Sequence, residues 1–428
     1  MFNGEKALEH VRVMVKEIGS RFAGLESEKR AADYILKCFQ EFGYTNAQFQ
    51  PFPLELDEVW DMKLSVDGLG EVPCLPILGS DDCPDGVSGP IYYIEGNNLA
   101  DLETTGHGKI LLMEGELESS RGEQYQTIIA CRPAALIMMN ADPNNPPRSI
   151  DIFPERRRLF GSLTLAQIDY HEGQKLRELN GTTAHLSLRS SCKTATAYNV
   201  ICEIEGSEHP DEIITICGHF DTVLCGPGAI DNAAGASIVM ELARIFKHHG
   251  SKRTLRFIAI SGEEQGLRGS SFYVRELLKG DRPELDKHVL ALNIDIQGAM
   301  PGSSSGWVIG PQDMFASIRL LSAELDAETP AVDGIYSSDG LPFSGIGIPS
   351  VTWSRGGGEG CCGHTTTDRF ECVKAEGLAA SGVFIEQWMR RYVTDSIIYP
   401  FERTVPEEKL KNISDYFKVR DTKRTEEG

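Results

Sequence analysis

Along the second half of the chain, continuous apolar runs alternate with helical stripes. The runs lie in NVICEIEG, EIITICG, TLRFIAIS, HVLALNI and PSVTWS, and several are rich in β-branched residues. Strands without polar alternation are what a sheet covered on both faces requires. Between them, apolar residues recur at helical spacing. One stripe is Ala234, Ile238, Leu242 and Ile245, closed by Gly250; a second is Met314, Ile318, Leu321 and Leu325; a third is Leu378, Ile385, Trp388 and Tyr392. Strand–helix alternation of this kind predicts a three-layer α/β domain. The amino-terminal segment predicts two amphipathic helices, on Leu8, Val11, Val15 and Ile18 and then on Ala32, Leu36 and Phe39, with Gly43 as the stop and NAQFQPF as a short strand.

Residues 54–193 have a different character. Apolar runs at 91–94, 110–113, 135–139 and 163–168 are short, and Gly, Pro, Asn and Asp cluster between them, as in CLPILGSDDCPDGVSGP and NADPNNPP. This predicts a mainly β unit with one helix near 124–131. It carries no ionisable cluster of catalytic type, and the basic run at 156–158 reads as a solvated or interdomain face. The expected organisation is a discontinuous catalytic domain from residues 1–53 and 194–404, an inserted β-rich domain at 54–193, and a charged C-terminal stretch at 405–428 forming a peripheral helix or loose tail.

The bulk numbers narrow the function. A chain of 428 residues is too long for one compact core. A net charge of -21 argues against nucleic acid and anionic membranes as partners. The start, MFNGEKALEHVRVMVKEIG, has no apolar h-region, and no stretch reaches the roughly 20 apolar residues that span a bilayer. Eleven scattered cysteines, an odd number, read as mostly reduced thiols, so the expected location is cytoplasmic.

The chemistry lies just past the predicted strands. His219 and Asp221 follow EIITICG; Asp231 sits in PGAIDNAAG before a helix; Glu263 and Glu264 follow TLRFIAIS; Asp295 follows HVLALNI; His364 lies in the Gly-rich loop after PSVTWS. Ligands bind outside the carboxyl ends of strands in open α/β sheets, so residues far apart in sequence are expected to converge there. Imidazole nitrogen and carboxylate oxygen suit zinc. Five such ligands exceed an open single-ion site and suit two ions sharing a carboxylate, able to acidify a water and polarise an amide carbonyl. A carboxylate that is not a ligand must then carry the proton to the leaving amine, and adjacent glutamates can divide those roles. Asp221 can accept the other ring N–H of His219 and fix its tautomer. Cys361 and Cys362 lie close to His364 as softer donors, but the oxygen and imidazole set is complete without them.

At these residues the chain resembles the M28 family of zinc aminopeptidases and carboxypeptidases. The resemblance runs through NVICEIEG, CGHFDTV, GAIDNAAGASIVMELAR, RFIAISGEEQGLRGS, LNIDIQG, SDGLPFSGIGIPSV and GHTTTD, and the amino-terminal IGSRFAG fits as well. It implies a zinc-exopeptidase fold with a mixed central sheet between helices. It also implies that His219 and Asp295 hold one zinc and Glu264 and His364 the other, with Asp231 bridging and Glu263 as general base. Manganese or cobalt would fit the same ligands. The middle of the chain is similar to a protease-associated domain through GKILLMEG, PAALIMMNAD and LTLAQIDYHEGQKL, which implies an insertion that shapes access to the cleft. Two positions depart from the family: Gly363 stands where many aminopeptidases have Tyr before the last ligand, and Ser338, Asp339 and Gly340 replace an SDH motif. Tyr336 and Arg355 are the candidates to supply the missing donor.

The expected function is therefore a dizinc exopeptidase acting on peptides or small amides, with the aminopeptidase reading favoured because Glu263 and Asp295 would attract a free α-ammonium group. A carboxypeptidase, with Arg355 on the terminal carboxylate, and another small-amide hydrolase remain as alternatives. So does a non-catalytic scaffold, although all five ligands and the base are present. The M20-type amidases share the HxD and EE patterns but carry their extra domain after the EE pair, whereas here the insert precedes His219.

Overall fold

The apolar runs fold as the strands His209–His219, Arg253–Ile260, His288–Ile294 and Ser350–Gly357. In the computed structural model, which describes residues 1–117, 122–279, 284–358 and 362–421, these four lie side by side and parallel. Every residue of His288–Ile294 is buried, as a strand covered on both faces demands. Gly302–Ile309 pairs antiparallel with Ser350–Gly357 and parallel with Ala331–Asp333. At the other side, residues 200–204 of the strand Thr183–Ile204 pair antiparallel with Arg253–Ile260. The sheet is thus mixed, with parallel strands at its centre.

Helices cover both faces. One face packs Ile214, Ile216, Leu255 and Phe257 against Ile238, Leu242 and Phe246 of the helix Ala234–His249, and against Leu378, Ile385 and Trp388 of Ala375–Met389. The amino-terminal helices Gly4–Arg12 and Glu26–Glu41 add Val11, Ile35 and Phe39 to this same core. The opposite face packs Cys217, Ile258 and Ile260 against Tyr273, Val274 and Leu277 of the helix Arg268–Leu277, and against Phe343. Neighbouring residues of one strand point to opposite layers, which is the period of two that a pleated strand imposes.

The chain divides into two compact units, Met1–Leu54 with Ala195–Ser414, and Glu55–Thr194 with Asp415–Gly428. The second unit has its own parallel strands, Cys83–Tyr93, Ile110–Glu114, Ala135–Met139 and Leu165–Ile168, with separate apolar clusters that include Leu111, Leu136 and Leu165 in one and Ile110, Ile137 and Ala166 in the other. It holds more helix than the run pattern predicts: besides Gly122–Ala130 there are Pro154–Phe160 and Tyr170–Glu178. Their start signals are in the sequence, Pro154 at a first turn and Asp169 accepting from the Glu172 amide, but both helices are too short to show an apolar stripe. The basic run is spoken for within this unit, Arg157 gripping Asp57 through two bonds of 2.8–2.9 Å and Arg158 pairing with Glu55. The C-terminal stretch forms the helix Glu407–Asp421. Among the described residues no helix is long and apolar enough to cross a membrane.

Candidate metal centre

Strand register brings the polar residues to one rim of the first unit's sheet. Ile260 lies opposite His219, so Glu263 and Glu264 follow at the same edge. Asn293 lies opposite Cys217, which sets Asp295, two residues on, level with His219. Asp231 comes from the turn Ala229–Ala233, ahead of the helix Ala234–His249, and His364 from the loop after Ser350–Gly357.

The side chains form two groups of three that share one member. His219, Asp231 and Asp295 make the first; Asp231, Glu264 and His364 make the second. His219 Nε2 is 3.2 Å from Asp295 Oδ1 and 3.3 Å from Asp231 Oδ1. His364 Nε2 is 3.2 Å from Asp231 Oδ2 and 3.1 Å from Glu264 Oε2. The two oxygens of Asp231 therefore face different groups. Glu263 joins His219 and Glu264 in a third overlapping set.

Electrostatics at this rim are unbalanced. Burial pushes the Glu263 carboxyl well above its ordinary range, and Glu264, Asp295 and Asp339 push it further against the pull of His219. Burial also raises Glu264. Burial would lower the His219 imidazole, but Glu263, Asp221, Asp231 and Asp295 together lift it well above the usual value. Glu264 lifts His364 in the same way, and burial only partly opposes it. Asp231 is held low by the two imidazoles despite its burial. Asp231, Asp295 and Glu264 pair with these two histidines, which cannot balance the four acids Asp231, Glu263, Glu264 and Asp295, and Glu264 Oε1 is buried without a hydrogen-bond partner among the described residues. Buried like charges persist when paired or metal-bound. Hard oxygen and imidazole donors, clustered and short of positive charge, fit divalent metal ions.

Supporting side chains fix these groups. Asp221 lies with Oδ1 3.5 Å from His219 Nδ1, and the same ring nitrogen is 3.3 Å from the Asp221 carbonyl. Its carboxylate also accepts the amides of Glu263 at 3.2 Å and Glu264 at 3.3 Å, so it ties the His219 strand to the EE segment as well as orienting the ring. Asn232, beside Asp231, donates to the Ile294 carbonyl at 2.9 Å and accepts from the amides of Gly235 and Ile296. A Cβ at Gly235 would lie 2.3 Å from Asn232 Oδ1 and 2.4 Å from the Ile294 carbonyl oxygen, which explains glycine in the first turn of that helix.

Sequence reasoning did not assign a role to Asp368 or Arg21. Asp368 accepts the amides of Ile230 and Asp231 at 2.8 and 3.0 Å; its presence in GHTTTD, four residues after His364, was the available signal. Of the two donor candidates, Tyr336 packs its ring against Trp307 at 5.5 Å between centroids, and its phenol is pushed up by burial and by the charges of Asp295, Asp231 and Glu263. Arg355 is engaged elsewhere, donating to the Ala299 carbonyl, Ser304 Oγ and Met300 Sδ. Cys361 lies outside the described residues, and Cys362 is a half-buried free thiol.

Comparison with known proteins places this geometry. The family model described as Peptidase family M28 matches residues 199–389, which hold the six residues from His219 to His364 that make up the two triads and Glu263. The chain is 26% identical over 394 residues to aminopeptidase YwaD of Bacillus subtilis (strain 168), covering 89% of this chain and 83% of that protein. It is 25% identical over 322 residues to carboxypeptidase Q of Xenopus laevis, covering 69% and 66% respectively. In fold it is similar to BSAP, a zinc aminopeptidase from Bacillus subtilis, with a TM-score of 0.78 at 24% identity over 96% of this chain and 99% of that one.

Proposed function

We propose, on the premise that the chain belongs to peptidase family M28 through residues 199–389, that it is a two-zinc exopeptidase that removes residues from the amino end of peptides. The observation that carries this reading is Asp231, whose two oxygens face two separate groups of imidazole and carboxylate 3.2–3.3 Å away. His219 and Asp295 would hold one ion, Glu264 and His364 the other, and Asp231 both. Bound there, a pair of divalent ions supplies positive charge that polarises the scissile carbonyl and acidifies the attacking water.

The protein's own groups do the rest. Glu263 stands beside His219 and Glu264, where it can take the proton from the attacking water and deliver it to the departing amine nitrogen. Asp221 keeps Glu263 and Glu264 in place through their amides and holds the His219 ring. Tyr336, whose phenol is kept neutral by burial and by the charges of Asp295, Asp231 and Glu263, would be the hydroxyl that donates to the carbonyl oxygen as charge builds on it. Amino-end recognition is supported by the acidic surroundings, which would attract an α-ammonium group. It is supported again by Arg355, the candidate cation for a terminal carboxylate, which is engaged by the Ala299 carbonyl and Ser304 Oγ.

Three parts of the reading go with this activity. Residues 1–53 and 194–404 form the catalytic domain, residues 54–193 an insertion of the protease-associated kind, and residues 405–428 an appendage; the separate apolar clusters of the second unit support that partition. The location is cytoplasmic, with peptide or small-amide substrates and no nucleic acid or membrane partner, a reading supported by the charge of -21 and the scattered cysteines. The deciding experiment compares hydrolysis of Leu-, Lys- and Glu-type amides with amino-blocked peptides, with metal quantified on the same sample. Cleavage confined to free amino ends with about two equivalents of zinc is expected; preference for blocked substrates would overturn the aminopeptidase assignment.

A further inference from the structure

The turn that delivers Asp231 is held from both sides by buried charges that take no part in the chemistry above. Arg21, in the segment between the two amino-terminal helices, is fully buried. Its guanidinium donates to main-chain carbonyls throughout: Nε to Phe220 at 2.6 Å, Nη1 to Met14, Gly19 and Pro227, and Nη2 to Gly228 at 2.9 Å. Its own amide donates to Thr222 Oγ1 at 2.9 Å. Asp368 takes the complementary groups. Its carboxylate accepts the amides of Ile230 and Asp231, and its carbonyl accepts from Ala229.

Within residues 220–231 the carbonyls of Phe220, Pro227 and Gly228 are thus held by a cation, and the amides of Ile230 and Asp231 by an anion. This segment starts next to His219 and ends on Asp231. The direct acceptors of this guanidinium are neutral carbonyls, while the carboxylates of Asp221, Asp368, Glu264 and Asp231 offset the cost of burying it through space. Five fixed donors can define the path of a loop to a degree that one ammonium cannot.

We propose that Arg21 and Asp368 are positioning residues for the metal centre: together they fix the backbone between His219 and Asp231, and so set where Asp231 offers one oxygen to each group of ligands. The inference rests on the two-ion reading above. It extends the site beyond the matched residues 199–389 into the amino-terminal segment.

The test titrates zinc against a chromophoric chelator on metal-free protein, for the wild type and for Arg21→Lys and Asp368→Asn. The thermal midpoint of each metal-free protein and the visible spectrum of each cobalt-substituted protein are recorded alongside. Both variants are expected to fold, to bind zinc about 10- to 100-fold more weakly and to show an altered cobalt spectrum, as when groups that orient metal ligands are removed. Arg21→Lys keeps the charge, so a loss there reports geometry. Wild-type affinity and spectrum in both variants would overturn the inference, whatever happens to the midpoint. Failure of both to fold would overturn it too, because the pair would then serve the fold and not the centre. A wild type that binds no zinc would instead refute the two-ion reading itself, before any variant is compared.

Discussion

At the scale of single residues, the neighbours Glu263 and Glu264 separate the roles of base and ligand. Glu264 Oε2 faces His364 at 3.1 Å within a ligand triad, whereas Glu263 is grouped with His219 and Glu264 but makes no ion pair with either imidazole. Glu263→Gln is nearly isosteric and removes only the proton acceptor. It should retain zinc and lose about 100- to 10,000-fold in turnover. His219→Ala deletes a donor and should lose zinc as well as activity. Metal analysis and kcat on the same preparations check this; equal metal loss in the two variants would reassign Glu263 as a ligand. Asp221 is the residue whose position says most about economy. Its carboxylate touches the ring nitrogen of His219 and both amides of the EE pair, so one side chain ties two strand ends.

Among the elements, legibility in the sequence followed the strength of the local pattern. The strands that carry ligands were readable because they are buried on both faces, and an apolar run that stops at His219 or Asp295 marks both the strand and its functional end. Gly302–Ile309 was missed because GSSSGWVI is half polar, as suits a strand paired beyond the parallel centre. Arg268–Leu277 was missed because its apolar face is short and follows Gly266 and a left-handed Leu267, which look like loop. Supports such as Asn199 were illegible for a different reason: nothing in NVICEIEG says where an asparagine points. In the structure Asn199 is fully buried, accepts the Ser261 amide at 3.1 Å and donates to Gln50 Oε1 and the Gly269 carbonyl. Ser261 is the residue that leads out of Arg253–Ile260 towards the EE pair. Asn199→Ala leaves that amide buried and unpaired, a cost of about 1–3 kcal/mol. The expected result is a lower thermal midpoint together with weaker zinc binding, because the fault lies at a ligand-bearing strand end. A lowered midpoint with wild-type zinc affinity would show that the EE segment is positioned without it.

For the molecule as a whole, the pH response of stability is set by buried groups away from the metal rim as well as by the ligands. His288 opens a central strand and is buried; its Nδ1 meets Thr215 Oγ1 at 3.1 Å, and its ring lies edge-on to Tyr273 of the helix Arg268–Leu277. Burial lowers its imidazole to about 3, with Arg256 adding to the fall and Glu284 opposing it. His10, on the first helix, is lowered to about 4 by burial, with Glu9 opposing and Arg244 assisting. An unfolded chain would protonate both rings near 6.5, so below that pH it binds more protons than the native state. Their contribution is therefore complete above about 6.5 and is lost as pH falls, at about 1.4 kcal/mol per pH unit for each ring until the native ring itself protonates. Glu28 acts in the opposite sense. Burial raises it to about 8, so its contribution is present below the ordinary carboxylate range and is lost as pH rises through about 8. Comparing wild type with His288→Gln isolates one ring, since every other group is common to both. On metal-free protein, to keep ligand protonation out of the signal, the difference in unfolding free energy should be flat above pH 6.5 and should shift in favour of the variant as pH falls towards 4. Denaturant titrations at stepped pH measure it. Parallel curves across that window would mean that the His288 ring is already protonated in the native protein, and that acid sensitivity originates at other groups.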